Sequence, residues 1–183
     1  MSAGIHAYGG YIPKARLQRS EIAKSHTWFT PGLRGLGKGE RSMANWDEDS
    51  VTMAVEAGRD CLRDTDRGQI AGMYLASTTF PFLDRQNAGI VAEALNLKTD
   101  IQAIDLGSSQ RAGSSSLMVA LQCTESIGSI LVAGGEKRRT KAANPLEFTT
   151  GDGAAALVPG NRGSRARRVR TDRVSRCGNH QHT

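Results

Sequence analysis

The stretch "LGSSQRAGSSSL", Leu106 to Leu117, decides how this chain is read. A short apolar run, "DIQAIDLG" (100–107), predicts a strand, and "RAGSSSLMVALQCTES" (111–126) predicts a helix rich in small residues. Between them the chain has only a few residues in which to turn. A strand that turns sharply into a helix exposes the side chain at its tip, as nucleophiles are often exposed. The tip here carries Ser108, Ser109 and Gln110. The segment therefore reads as a candidate active-site elbow, with an ordinary strand-to-helix turn as the alternative.

The pattern on either side sets the fold class. "QIAGMYLAST" (69–78), "SILVAGGE" (129–136) and "GAAALVPG" (153–160) are short, continuous apolar runs, as expected for strands of a sheet covered on both faces. Val51, Ala54, Val55, Gly58, Cys61 and Leu62 fall on one helical stripe, preceded by Asp47, Glu48, Asp49 and Ser50. The acidic run suits a helix N-terminus, where carboxylates cap free N–H groups; cation binding is the alternative. "RQNAGIVAEALNL" (85–97) predicts a helix with Ile90, Val91, Ala94 and Leu95 inward. "AGIHAYGGYI" (3–12) predicts a first strand, "RLQRSEIAK" (16–24) a short helix, and residues 26–48 an irregular loop. Strands alternating with helices predict an α/β layered domain over residues 1–160.

Composition narrows the function classes. The net charge of +6 invites a nucleic-acid reading, but residues 161–183 hold seven Arg against one Asp and account for all of it. That tail lacks periodicity and aromatics, so stacking on bases is not expected and nucleic-acid binding stays a minor alternative. It reads as disordered or out-of-frame sequence. No apolar run approaches the roughly 20 residues that span a bilayer. The N-terminus lacks the basic-then-apolar pattern of a signal peptide. Cys61, Cys123 and Cys177, three at wide spacing, predict reduced thiols and a cytoplasmic location. No Cys or His pair has zinc-ligand spacing.

Four segments in one order carry a family resemblance: "GKGERSMANWDEDSVTMAVEAGRDCL" (37–62), "FPFLDRQNAGIVAEAL" (80–95), the "RAG" elbow, and "LEFTTGDGAAALV" (146–158). Together they resemble the hydroxymethylglutaryl-CoA synthase branch of the thiolase superfamily, which includes ketoacyl-ACP synthase III-like enzymes. The resemblance covers roughly residues 3–160. It implies the N-terminal half of an αβαβα fold, acyl-CoA thioester substrates, no separate cofactor, and acyltransferase chemistry of the C–C condensing type. It also implies a homo-oligomer, or a small OB-fold/zinc-ribbon partner protein.

The resemblance implies site residues, and three of them depart from the family pattern. The family elbow reads approximately Cys-Lys/Arg-Ala-Gly, whereas this chain has Gln110-Arg111-Ala112-Gly113. Gln110 stands at the position of the family Cys, with Ser109 the neighbouring candidate. An amide is not a nucleophile, and a Ser needs a base. The family's Gly-Ser/Thr-Glu is matched by Ala76-Ser77-Thr78, so Thr78 stands at the position of the proton-transferring Glu. The family's His comes from a second half that this sequence does not contain. Arg111, Gly113, Gly151 and Gly153 are the substrate-binding candidates, although "GDGAAA" (151–156) also reads as a tight turn with glycines at positive φ. Lys38, Arg41 and "EKRR" (136–139) read either as contacts for CoA phosphates or as solvated surface. Three activities are expected as alternatives: a condensing enzyme lacking its covalent step, a decarboxylase or retro-aldolase using Gln110, and a non-catalytic partner subunit.

Overall fold

A computed structural model describes residues 3–161; the Arg-rich tail, and with it the expectation of a disordered or out-of-frame segment over 161–183, lies almost wholly outside the described residues. Seven strands and five helices follow in chain order: β1 (Ala3–Tyr11), β2 (Ala15–Gln18), α1 (Arg19–His26), β3 (Glu40–Met43), α2 (Ser50–Cys61), β4 (Ile70–Ala76), α3 (Asn87–Ala94), β5 (Gln102–Leu106), α4 (Ala112–Ile127), β6 (Ser129–Glu136), α5 (Leu146–Thr149) and β7 (Gly153–Asn161). Five strands form one mixed sheet in the order β1-β7-β6-β4-β5. β4 is parallel to β5 and β6, and β7 runs antiparallel between β6 and β1.

Period-two alternation feeds two cores. Met73 and Leu75 of β4, Leu131 and Ala133 of β6, and Ala156 and Val158 of β7 join α2 and α3 in one cluster. The intervening Tyr74, Ile130 and Val132 join Ala120 of α4, with Leu157 packed against them, on the other face. Topology places the helices. The chain passes from β4 through α3 to its neighbour β5, then back through α4 past β4 to β6. Right-handed crossovers in opposite directions put their helices on opposite faces of the sheet.

The α2 stripe is buried at all six expected positions. Its N-terminus is capped by Asp49, whose carboxylate accepts the N–H groups of Val51 at 2.9 Å and Thr52 at 2.8 Å. The Thr52 hydroxyl in turn accepts the Asp49 N–H at 2.8 Å, completing a capping box. The cap reading of the acidic run thus holds for Asp49, and no cluster of three His, Cys, Asp or Glu that could hold a metal ion occurs among the described residues. The helix lies directly on the sheet: a Cβ at Gly135 would sit 2.4 Å from the Ser50 carbonyl oxygen. At the same corner the Tyr11 hydroxyl donates to Glu48. That bond, with burial, pushes Tyr11 up to about 12. Glu48 is held below the usual carboxylate range, first by the Asn45 N–H and then by Tyr11.

Three expectations need correction. Residues 16–24 are not one helix. Ala15–Gln18 form β2, which pairs antiparallel with β3 inside the segment expected to be irregular. The pairing joins Arg16 to Glu40 (3.5 Å) and turns Leu17 onto Ile22, Leu33 and Phe148, a small satellite core. That burial overrides the helical propensity of the sequence. Within the same segment, Pro31–Leu36 form a 3-10 turn. In α3 the inward row is Ala88, Val91, Ala92 and Leu95, while Ala94 is exposed and Ile90 half-buried, because the helix is rotated toward the Gly58 surface of α2, where Leu95 packs.

Candidate functional site

In an open α/β sheet, ligands bind beyond the carboxyl ends of parallel strands, where neighbouring connections diverge to opposite faces. Here that point lies between β4 and β5. The loop after β4 leads to α3 on one face and the loop after β5 leads to α4 on the other. The Ser77 N–H donates to the Leu106 carbonyl at 3.1 Å, so the two loops start side by side. A Cβ at Gly107 would lie 3.2 Å from the Phe80 ring and 3.4 Å from the Ser77 carbonyl oxygen. The far end of the first loop is fixed by Asp105 of β5. Its carboxylate accepts the N–H groups of Ala88 at 2.6 Å and Asn87 at 2.7 Å, at the start of α3.

The elbow is built as the sequence suggested. Ser108 takes a left-handed conformation, φ 63°, which turns the chain out of β5. The Arg111 N–H donates to Ser109 Oγ at 3.1 Å and the Ala112 N–H to the Ser109 carbonyl at 3.0 Å. α4 starts immediately, with Arg111 as its N-terminal flanking residue and no side chain capping its free N–H groups. Gln110 therefore sits exposed at the positive end of a 16-residue helix. Ser109 has no imidazole to activate it among the described residues. His6 lies on β1, at the sheet edge opposite β5, and His26 of α1 lies 3.5 Å from Glu147. Arg111 is exposed. Gly113 faces open space, with nothing within 4 Å of an added Cβ.

Thr78 lies half-buried in the loop that follows β4, in a polar network that residue spacing does not reveal. Glu136, the last residue of β6, accepts the Thr78 N–H through Oε1 at 2.8 Å. Through Oε2 it accepts the Thr78 hydroxyl at 2.9 Å and the Thr79 hydroxyl at 3.2 Å. Arg138 Nη1 donates to the Thr78 hydroxyl oxygen at 3.3 Å. The signal was present in the strand ends: Thr78 follows β4 by two residues and Glu136 closes the parallel neighbour of β4. Only the register Ala76↔Gly134 brings them together.

The "GDG" segment is built around Asp152. Its carboxylate accepts the Ala44 N–H at 2.8 Å and the Arg138 N–H at 3.0 Å, and lies 3.5 Å from the Arg41 guanidinium. Gly151 does not use positive φ. Instead Ser42 Oγ would lie 2.6 Å from its Cβ, and this close approach requires the glycine. Gly153 opens β7 opposite Glu136. Of the basic side chains, Arg41 is buried against Asp152, and Lys137 Nζ donates to the carbonyls of Asn45 and Glu48. Lys38 and Arg139 are exposed.

No family model matches the chain. It is 34% identical over 163 residues to the hydroxymethylglutaryl-CoA synthase of Aeropyrum pernix, covering 87% of this chain and 45% of that protein. It is equally similar to the hydroxymethylglutaryl-CoA synthase of Methanocaldococcus jannaschii, over 86% of this chain and 47% of that protein. The fold matches a 3-oxoacyl-(acyl-carrier-protein) synthase III with a TM-score of 0.77 at 20% identity, over 89% of this chain and 51% of that one. It matches Xanthomonas campestris OleA, solved with lauric acid and lauroyl-CoA, with a TM-score of 0.74 at 21% identity, over 87% of this chain and 56% of that one. The divergent loops, the elbow and these structural matches show a thiolase-like α/β fold. In sequence the chain is similar to hydroxymethylglutaryl-CoA synthases along most of its own length, and it spans about half the length of the relatives it matches. No helix among the described residues is long and apolar enough to cross a membrane.

Proposed function

We propose that this chain binds acyl-CoA thioesters at the carboxyl ends of β4, β5 and β6 and acts on them without forming an acyl-enzyme. The observation that carries this reading is Gln110, at the uncapped N-terminus of α4, in the position the family fills with a nucleophilic cysteine. An amide N–H and a helix N-terminus stabilise negative charge on a thioester oxygen, as an enolate develops, without attacking the carbonyl carbon. Decarboxylation or retro-aldol cleavage of an acyl-CoA fits such a site better than transfer through a covalent intermediate. The synthase relatives and the lauroyl-CoA bound by OleA support the substrate class. No cofactor beyond the CoA thioester is part of the proposal. Incubating the chain with acetyl-CoA and with malonyl-CoA, followed by intact-mass analysis and detection of released CO2, tests it. The expected result is no acyl adduct and CO2 from malonyl-CoA; a stable adduct on residues 106–113 overturns it.

A second reading, a partner subunit in a larger assembly, is favoured by the outer face of α4. Met118 is 62% exposed and Val119 37% exposed on a helix with only three buried residues, Ala112, Ser116 and Ala120. β5 beside it is one of the sheet's two edge strands. Such surfaces mark self-association or partner binding. Light scattering coupled to size exclusion is expected to show a dimer or larger species, and a clean monomer removes this reading. A cytoplasmic location is proposed with it.

A further inference from the structure

We propose that Glu136, acting through the Thr78 hydroxyl, supplies the proton-transfer carboxylate of this site. The inference deepens the thioester reading above and rests on it. The position that follows β4 carries no acid in this chain, but the network leaves it with one at a single remove. The Thr78 hydroxyl donates to Glu136 Oε2 at 2.9 Å, so its proton is committed to the carboxylate. The Thr78 N–H, donating to Oε1 at 2.8 Å, fixes the carboxylate's second oxygen and with it the orientation of the pair. Arg138 Nη1 occupies one lone pair of the hydroxyl oxygen at 3.3 Å, which leaves the other to accept a proton from a ligand. Thr78, Glu136 and Arg138 are all half-buried, so the group is reachable from solvent while partly screened from it. Loop 77–80 abuts Gly107 at the foot of the elbow through Ser77 and Phe80, so the loop that carries this hydroxyl starts beside the strand end that leads to Gln110.

The step balances without a further reactant. A C–H bond next to the thioester carbonyl breaks, and its proton passes to Thr78 Oγ1 as the Thr78 proton passes to Glu136. The electron pair of the broken bond is delocalised into the carbonyl as an enolate, and Glu136 becomes a neutral carboxylic acid. Return of the proton restores both groups. Thr78 is the group that meets the ligand, and Glu136 is the positioning residue behind it. In deuterated water the same cycle replaces the acyl hydrogens of acetyl-CoA with deuterium.

Two measurements on the full chain separate this inference from the reading beneath it. Calorimetric titration with acetyl-CoA measures binding, and mass spectrometry of acetyl-CoA recovered from deuterated water measures exchange. Wild-type protein is expected to bind and to exchange. Thr78→Val, close to the native shape, and Glu136→Gln, which keeps an acceptor, are expected to bind within about twofold and to lose exchange by roughly 100-fold, the usual scale of a lost acid–base group. Thr78→Ser is expected to retain exchange, and Thr78→Glu in the Glu136→Gln background to recover it. Exchange that survives Thr78→Val or Glu136→Gln shows that Glu136 only holds the loop and overturns the inference. So does wild-type binding without exchange, which leaves the thioester reading standing. Absence of binding overturns both. Thermal unfolding of each variant is measured alongside, and a folded Thr78→Val protein suffices for the decision if Glu136→Gln is unstable.

Discussion

The two faces of the sheet are unequally packed. On the α2/α3 face nineteen buried residues form one cluster, and on the α4 face four do. α2 crosses β1, β7 and β6 and touches the sheet backbone at Gly135, whereas α4 buries only Ala112, Ser116 and Ala120, with Cys123 partly buried against Tyr74. Stability therefore resides mainly on one face, and the element that carries the elbow is attached to the other. Loosely held elements are those that open locally and accommodate ligands or partners. Neither Thr78 nor Gln110 belongs to either of these buried clusters, so the residue type at each is free of the packing that sets the fold.

The largest expected effect is on the packed face. Leu95 is fully buried and fills the space above Gly58. Leu95→Ala is expected to cost about 2–5 kcal/mol in chemical denaturation, the range for truncating a large core side chain. A cost well below that would mean the α2/α3 face is not the main source of stability.

An intermediate effect is expected at Tyr74, the fully buried aromatic of the α4 face, whose hydroxyl donates to Gln102 at 2.6 Å. Burial, and then the neighbouring Cys123, push Tyr74 up to about 12 from the ordinary 10.0. The folded state keeps this proton where the unfolded state has lost it. Stability is therefore fully present below the ordinary value and falls as pH rises toward 12. Tyr11, on the corner between β1 and α2, contributes in the same direction and window. Tyr74→Phe is expected to cost about 0.5–1.5 kcal/mol at neutral pH, the net worth of one hydrogen bond, and to shallow the alkaline decline without abolishing it. Denaturant midpoints across that pH range check both, and an unchanged decline would assign it to Tyr11 alone.

The smallest effect on stability is expected at Met118. Met118→Glu should change unfolding free energy by less than about 0.5 kcal/mol, as surface substitutions do, while reducing any self-association seen by light scattering. A large loss of monomer stability would show that the outer face of α4 is already covered within the folded chain.

Much of this molecule could be read from residue spacing. The α2 stripe from Val51 to Leu62, the apolar runs of β4 and β6, and the turn at Ser108–Arg111 depend on local periodicity, and each sits where that periodicity put it. What escaped depends on pairing at a distance. β2 and β3 are four residues each, and neither carries a strand signal until Leu17 finds Ile22 and Phe148. Arg41 read as a surface cation because nothing nearby in sequence reveals that Asp152, 111 positions on, lies against it. Glu136 could not be read as a partner of Thr78 for the same reason, since a parallel ladder aligns strand ends that the chain separates by two helices and a strand. The positions of Thr78 and Gln110 were legible; the network around Thr78 was not.

The place of β7 has a consequence for the order in which this sheet can be assembled. β1 pairs in the sheet with β7 alone, Ala3 opposite Asn161, and β7 also closes the ladder of β6. During synthesis the first strand thus waits, without a sheet neighbour among the described residues, until β7 leaves the ribosome. A chain stopped before Gly153 would expose two open edges, β1 and β6, where the finished sheet has neither pairing site free on that side. Those edges are templates for another chain's strand. The nine residues from Gly153 to Asn161 are the stitch that ties the first strand to the parallel part of the sheet.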